Sequence, residues 1–81
     1  MTINSLQDNE QGIIVDIDAD SKMRERLFSF GIVKSKLIKR IKSSLGGSTI
    51  LVEIDRSCVA LRNKEAESIC IKKEGIDAKD Y

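Results

Sequence analysis

The chain has 81 residues, of which 41% are hydrophobic and 33% charged, and its formal net charge at pH 7 is +1. This length allows one domain with a small core, and so balanced a charge directs the protein towards neither nucleic acid nor a membrane surface. Because the chain has no histidine, it lacks the usual general acid–base and the commonest metal ligand, so we expect no catalytic residues and no enzyme.

The first strand is predicted after a polar start. Residues 1–11 hold few apolar anchors, chiefly Ile3 and Leu6. Gly12 then opens a segment, residues 12–18, in which apolar residues recur at every second position: Ile13, Val15 and Ile17. That period is typical of a strand with one buried face.

A helix is predicted over residues 21–30. It follows three residues that can cap a helix: Asp18, Asp20 and Ser21. Met23, Leu27 and Phe30 fall on one helical face. Gly31 stands where a left-handed residue would end the helix, since glycine adopts that conformation without a Cβ clash.

Three further strands are predicted after the helix. Residues 36–42 are β-prone and basic, and residues 43–48 form a turn with paired glycines. Residues 49–55 form a strand in which every second residue is apolar: Ile50, Val52 and Ile54. A tight turn at residues 55–57 returns the chain as an antiparallel strand over residues 58–62.

The last predicted elements are a helical turn and a closing strand. Asn63 can cap the turn at residues 64–67, residues 68–72 form the strand, and residues 73–81 are polar and predicted to fray. Five short strands with closely spaced turns indicate a mainly β fold, a small closed or nearly closed barrel with one inserted helix. We expect a single domain over residues 1–81 with its core in about 12–72.

The two cysteines, Cys58 and Cys70, form no Cys-x-x-Cys pair and lie in apolar runs. We interpret them as two core thiols of a reduced, cytoplasmic protein, since no secretory segment is recognisable at the N-terminus. A disulfide or a metal pair is the alternative. No apolar stretch approaches the ~20 residues that span a bilayer, so we expect no direct membrane insertion.

A basic segment covers residues 34–42, with five cations: Lys34, Lys36, Lys39, Arg40 and Lys42. A solvated strand face is its simplest interpretation, and contact with phosphate or with an acidic partner is the alternative. Barrels that bind single strands usually interleave stacking aromatics with such charge, and none is interleaved here. Arg24 and Arg26 lie beside the apolar stripe of the helix, and arginine is favoured at protein interfaces.

Four short motifs follow one another along the chain: Gly12-Ile13-Ile14, Met23-Arg24-Glu25-Arg26-Leu27 ending in Gly31, Leu45-Gly46-Gly47, and Val59-Ala60-Leu61-Arg62 with Ala66 and Ile69 after it. Their order and spacing over residues 12–72 resemble the FeoA family, small cytoplasmic accessory proteins of bacterial ferrous iron transport. The resemblance implies an SH3-like barrel with an inserted helix and a set of structural residues: Gly12, Leu27, Gly31, Leu61 and Ala66.

The chain departs from the family's pattern at two turns. It has Lys34-Ser35 where members often carry Pro-Gly, and Ser44 where they often carry proline before Leu-Gly. The family is loosely associated with transition metal ion binding. The resemblance supplies no ligands here, so we assign no metal site and no cofactor.

The resemblance also implies a partner, the FeoB transporter, a membrane protein with a cytoplasmic GTPase domain. We expect an adaptor that docks there and modulates the transporter's assembly or activity, peripheral to the inner membrane only through that partner. The predicted partner-binding residues are Arg24, Arg26, Lys34, Lys36, Arg40, Lys42, Leu45 and Gly46.

Two alternatives to the adaptor remain open at this point. One is a nucleic-acid-binding barrel that uses Lys36, Arg40 and Lys42, although the adaptor hypothesis expects no nucleic acid. The other is a metal-sensing regulatory domain. Self-association is also left open.

Overall fold

One antiparallel sheet of five strands makes up most of the fold. The structure, a computed structural model, describes residues 1–44 and 46–73. The elements in chain order are a 3-10 helix (Ile3–Ser5), β1 (Gln11–Ile17), α1 (Ser21–Ser29), β2 (Leu37–Ser43), β3 (Thr49–Ile54), β4 (Ser57–Arg62), α2 (Asn63–Glu67) and β5 (Ile69–Lys73). The strands are ordered β4-β3-β2-β1-β5. The predicted mainly β architecture, with one inserted helix and a helical turn before the last strand, is confirmed.

The core draws on every one of these elements. Its buried apolar residues are Ile3, Leu6, Ile14, Ile17, Leu27, Ile32, Ile38, Ile50, Val52, Ile54, Leu61, Ala66, Ile69 and Ile71. Ile3 and Leu6 lie outside the range of 12–72 expected for the core, because the 3-10 helix packs against α2 and β5. At Gly12 a Cβ would stand 2.9 Å from the Lys72 carbonyl oxygen, so only glycine fits between β1 and β5.

Helix α1 begins and ends as its sequence predicts. The Met23 backbone N–H donates to Asp20 Oδ1 at 2.8 Å, which satisfies one of the free donors at the N-terminus. At the other end Gly31 has φ +84°, and the Ile32 N–H donates back to the Leu27 carbonyl at 3.0 Å. This reversal turns the chain so that Ile32 and Leu27 both enter the core.

Strand β1 does not alternate as predicted. Its buried side chains are Ile14 and Ile17, whereas Val15 is exposed and Ile13 is half-buried. The reason is a bulge: the pairing of β1 with β5 shifts register between Ile14 and Asp16, so one extra residue lies between the two inward positions. In β3 the predicted alternation of Ile50, Val52 and Ile54 is confirmed.

Strands β3 and β4 form a tight hairpin with a two-residue turn. Ile54 pairs with Ser57, and the two residues between them, Asp55 and Arg56, have φ of 50° and 68°. Positive φ at both central positions is typical of the type I′ turn, whose twist matches that of the strands. The predicted tight turn at residues 55–57 is thus present.

Three local predictions need correction. The cysteines are free but do not both lie in the core, because Cys58 is exposed on β4 and Cys70 is half-buried. Asn63 does not cap α2; its side-chain amide donates to the Gly47 carbonyl at 2.8 Å. Lys73 belongs to β5 and pairs with Gly12, and the rest of the tail predicted to fray, residues 74–81, lies outside the described residues.

Candidate functional site

One flank of α1 borders an open groove of about 410 Å³. Ile17, Ile32 and Val33 contribute its apolar lining. Phe28 stands at its side with 70% of its surface exposed, the largest exposure of any large hydrophobic residue described. An aromatic side chain left in water beside an apolar depression is the kind of feature that marks an interaction site.

Two basic residues border the same groove, Arg24 and Lys34. The guanidinium of Arg24 donates to two carbonyls at the end of β1, those of Ala19 at 2.8 Å and Ile17 at 2.6 Å. Lys34 lies 3.6 Å from Asp16, and both side chains are more than half exposed. Arg24 is therefore held in position at the groove, whereas Lys34 is only weakly held, because exposed ion pairs contribute little.

The opposite flank of α1 borders a second open groove, of about 440 Å³, whose lining includes a charged pair. Arg26 forms an ion pair with Glu65 of α2, whose side chain is 6% exposed. Glu65 also accepts the Arg62 backbone N–H at 2.9 Å, and the Arg26 guanidinium lies 5.3 Å from the centre of the Phe30 ring. These contacts join α1 to α2 and satisfy a buried carboxylate. Arg24 and Arg26, predicted to act together, thus point to different sides of the helix.

The basic segment does not form one surface. Lys36 pairs with Asp55 at 3.0 Å across the start of β2, and Lys42 is exposed. The Arg40 side chain is only 16% exposed and donates to the Leu6 carbonyl at 2.5 Å. Arg40 therefore holds the N-terminal segment against β2. The nucleic-acid alternative depended on Lys36, Arg40 and Lys42 together, and the structure does not bring them together.

The glycine turn between β2 and β3 stands apart from the groove. Gly46 has φ +85° and nothing within 4 Å of the position of a Cβ, so its backbone conformation, and not crowding, favours glycine there. Gly46 is exposed, and Leu45 lies outside the described residues. Leu27, Leu61 and Ala66, expected to be structural, are each fully buried.

A further ion pair ties the segment before β1 to β5. Lys73 Nζ lies 2.6 Å from Glu10 Oε2, and the Gln7 backbone N–H donates to Glu10 Oε1 at 2.7 Å. The hydrogen bond from Lys73, and then that from Gln7, holds the pKa of the Glu10 carboxyl below its ordinary value. Glu10 thus has a structural role, since it fixes the approach to the sheet.

Within residues 1–44 and 46–73, no three side chains of the types that ligate metals come close enough together to hold an ion. No helix in that part of the chain has the length and apolar character needed to cross a bilayer.

Sequence reasoning found two residues at the groove, Arg24 and Lys34, and missed Phe28 and Val33. A signal for Phe28 was present in the sequence. Leu27 is buried, Met23 and Phe30 on the same face are partly buried against the core, and Phe28 falls off that face. An aromatic residue on the polar side of an amphipathic helix is out of place for packing.

Comparison with known proteins gives consistent results. The FeoA domain family matches residues 1–73. A provisionally named Fe(2+) transport protein A of Campylobacter jejuni subsp. jejuni is 49% identical over 69 residues, which are 85% of this chain and 93% of that protein.

Solved structures share the fold. Iron(II) transport protein A from Clostridium thermocellum superposes with a TM-score of 0.88 at 23% identity, over 93% of this chain and 46% of that one. A zinc complex of Stenotrophomonas maltophilia FeoA, described as a prokaryotic SH3 domain protein, gives a TM-score of 0.76 at 25% identity over 89% of each chain. The predicted SH3-like fold is confirmed.

Proposed function

This chain belongs to the FeoA family, and we propose that it docks onto the cytoplasmic part of an FeoB-type ferrous iron transporter and modulates its assembly or activity. The family is involved in ferrous iron transport, and the Stenotrophomonas relative is described as a proposed activating factor for it. The partner's GTPase domain faces the cytoplasm, so the adaptor acts there. It works by binding and not by catalysis.

The exposure of Phe28 beside the groove carries this proposal. Aromatic residues and arginine are enriched in interfaces, and a few of them usually supply most of the binding free energy. Phe28 and Arg24 stand at one groove, and Arg24 is already held by two backbone carbonyls. Less side-chain freedom is then lost on binding, which favours affinity.

The charges beside the groove are mixed. The groove lining contains two cations, Arg24 and Lys34, and one carboxylate, Glu25. An interface of this composition fits a reversible complex of modest area, in which an apolar side chain of the transporter enters the groove beside Phe28. Such a complex can form and dissociate as the transporter changes state.

The test compares two variants that each remove one exposed apolar side chain. Phe28→Ser alters the groove, and Leu37→Ser alters a residue that is 43% exposed at the start of β2. With a full-length FeoB-type transporter in nanodiscs, we expect Phe28→Ser to raise the dissociation constant at least about tenfold and Leu37→Ser to leave it unchanged. Equal binding by Phe28→Ser and wild type would contradict the proposal.

Charge reversal at the two arginines separates docking from folding. Arg24→Glu should weaken transporter binding while the fold is kept. Arg26→Glu would place a second carboxylate next to buried Glu65, so any loss of binding it causes must be corrected for loss of folded protein. Circular dichroism of both variants provides that correction. Binding by folded Arg24→Glu as tight as that of wild type would remove Arg24 from the interface.

A further inference from the structure

Strand β4 has a free edge. It is the terminal strand of the sheet, and within residues 1–44 and 46–73 no strand pairs with its outer side. Cys58 and Ala60 are exposed on it, and residues 57–61 carry no charge and no proline. Natural proteins usually protect such an edge with charge, proline or a covering segment, because unpaired backbone groups recruit another strand.

The other end of the sheet is partly covered. Thr2 forms a bridge with Cys70 of β5, and the Ile71 N–H donates to the Met1 carbonyl at 2.8 Å. A second copy therefore meets a partly covered edge at β5 and an open one at β4. Head-to-tail pairing of β4 with β5 would generate an open chain of copies, whereas β4 pairing with β4 closes at two.

The hairpin geometry determines which backbone groups of β4 point outwards. In a two-residue turn the flanking pair, Ile54 and Ser57, is hydrogen-bonded, and bonded and non-bonded pairs alternate along the ladder. The outward groups therefore belong to Cys58, Ala60 and Arg62. The Arg62 N–H agrees with this assignment, because it donates to Glu65 and not to β3.

We propose that β4 pairs antiparallel with β4 of a second copy, with the two-fold axis at Ala60. Ala60 then faces Ala60 of the second copy, and Cys58 faces its Arg62. Four backbone hydrogen bonds form: two between the alanines, and one from each Cys58 N–H to the opposite Arg62 carbonyl. The two sheets join into one.

Charge and the length of the ladder favour this register over axes at Val59 and Cys58. Glu53 lies beside Cys58 on the outer face of the sheet, so the Arg62 side chain of the second copy reaches over the small Cys58 towards that carboxylate. An axis at Val59 would instead set Arg62 against Arg56 of the second copy. An axis at Cys58 would leave only residues 57–59 in the ladder. Leu51 and Ala60 of both copies form one apolar row across the centre.

Sedimentation equilibrium of the reduced protein tests the association. Up to about 1 mM, a range in which a small interface associates, the mass of wild type should rise from 9.0 kDa towards twice that value. Ala60→Lys places like charges opposite each other and should raise the dissociation constant at least about tenfold. Leu37→Lys adds the same charge away from the edge and should behave as wild type. A wild-type mass of 9.0 kDa throughout would overturn the proposal.

A disulfide tests the register. In Cys58→Ser/Ala60→Cys the introduced thiols face each other in a hydrogen-bonded pair, where Cα atoms lie about 5.5 Å apart, and oxidised glutathione should join them. In wild type the two Cys58 residues are four positions out of register, ~13 Å apart, and should not join. Covalent dimer from wild type and none from the double variant would reject the axis at Ala60.

The dimer edge and the α1 groove are tested separately. Ala60→Lys changes no residue of the groove, so it should bind the transporter as wild type does. If Ala60→Lys instead weakened transporter binding while wild type stayed monomeric, the edge would receive a strand of the transporter, and the dimer would be rejected. If Phe28→Ser bound the transporter as tightly as wild type, the docking proposal would be contradicted, but the prediction that β4 forms a dimer would be unaffected.

Discussion

The two flanks of α1 carry the same pair of residue types in the same spacing. Arg24 is followed four residues later by Phe28, and Arg26 by Phe30. On one flank Arg26 pairs with buried Glu65, lies over Phe30, and links the helix to α2 beside a second groove. On the other, Phe28 is exposed and Arg24 holds only backbone carbonyls. Helix phase accounts for the difference, because a step of two residues rotates a side chain by about 200°.

Residue type alone therefore does not assign a role in this protein. On the flank that faces α2, the Glu65 carboxylate is buried and Arg26 is its cation. On the other flank Arg24 lines the groove beside exposed Phe28 and donates to two backbone carbonyls. A surface available for docking arises where the fold leaves an Arg–Phe pair unused for packing.

The largest expected difference between the flanks lies in the two phenylalanines. Phe30 packs against the core, so Phe30→Ala should lower the free energy of unfolding by about 3 kcal/mol. Phe28→Ala removes a side chain that is mostly in water and should change it by less than about 0.5 kcal/mol. Urea denaturation followed by circular dichroism measures both. Equal losses would show that Phe28 is packed as well as Phe30 is.

A smaller difference is expected between the arginines. Arg26→Ala leaves the Glu65 carboxylate buried without its cation and should cost about 2 kcal/mol, whereas Arg24→Ala should cost about 1 kcal/mol. Because Arg26 and Glu65 interact directly, Arg26→Ala/Glu65→Ala should cost at least about 0.5 kcal/mol less than the sum of the single changes. Strict additivity would contradict a coupled pair.

The smallest effect concerns Glu10, whose ion pair lies away from both flanks. Its pKa is lowered in the folded state by hydrogen bonds from Lys73 and Gln7, so its stabilisation is complete above the unfolded value of about 4.3 and is lost as the pH falls through the folded value. The stability gap between wild type and Glu10→Gln should therefore be constant above about pH 5 and close below about pH 4. Thermal unfolding from pH 3 to 7 measures it, and a gap that widens in acid would contradict this assignment.

Much of the fold was predictable because local signals and burial agree. Helix α1 has a cap, an apolar stripe and a glycine stop at the expected places, and β3 alternates without interruption. The bulge of β1 was not predicted because it depends on pairing with β5, and the local sequence of β1 does not show that pairing. Arg40 was predicted to face solvent, yet its guanidinium donates to the Leu6 carbonyl, thirty-four residues earlier in the chain.

The site was less predictable than the fold. The charge pattern indicated Arg24 and Lys34, which do line the groove. It also indicated Arg26 and Arg40, whose guanidinium groups bind other parts of the same chain. The groove is lined by residues of β1, α1 and the segment that follows α1, so it forms only when folding brings these three segments together. Phe28 could have been found from its position on the helix, because it breaks the separation of apolar and polar faces.

The bulge in β1 also gives this domain a place where its length can vary. Val15 occupies the extra position between Ile14 and Ile17. If Val15 were deleted, Asp16 alone would separate the two isoleucines, and simple alternation would still turn both inwards. A deletion elsewhere in the strand would reverse every side chain beyond it. Relatives should therefore gain or lose a single residue here more readily than at any other point of β1.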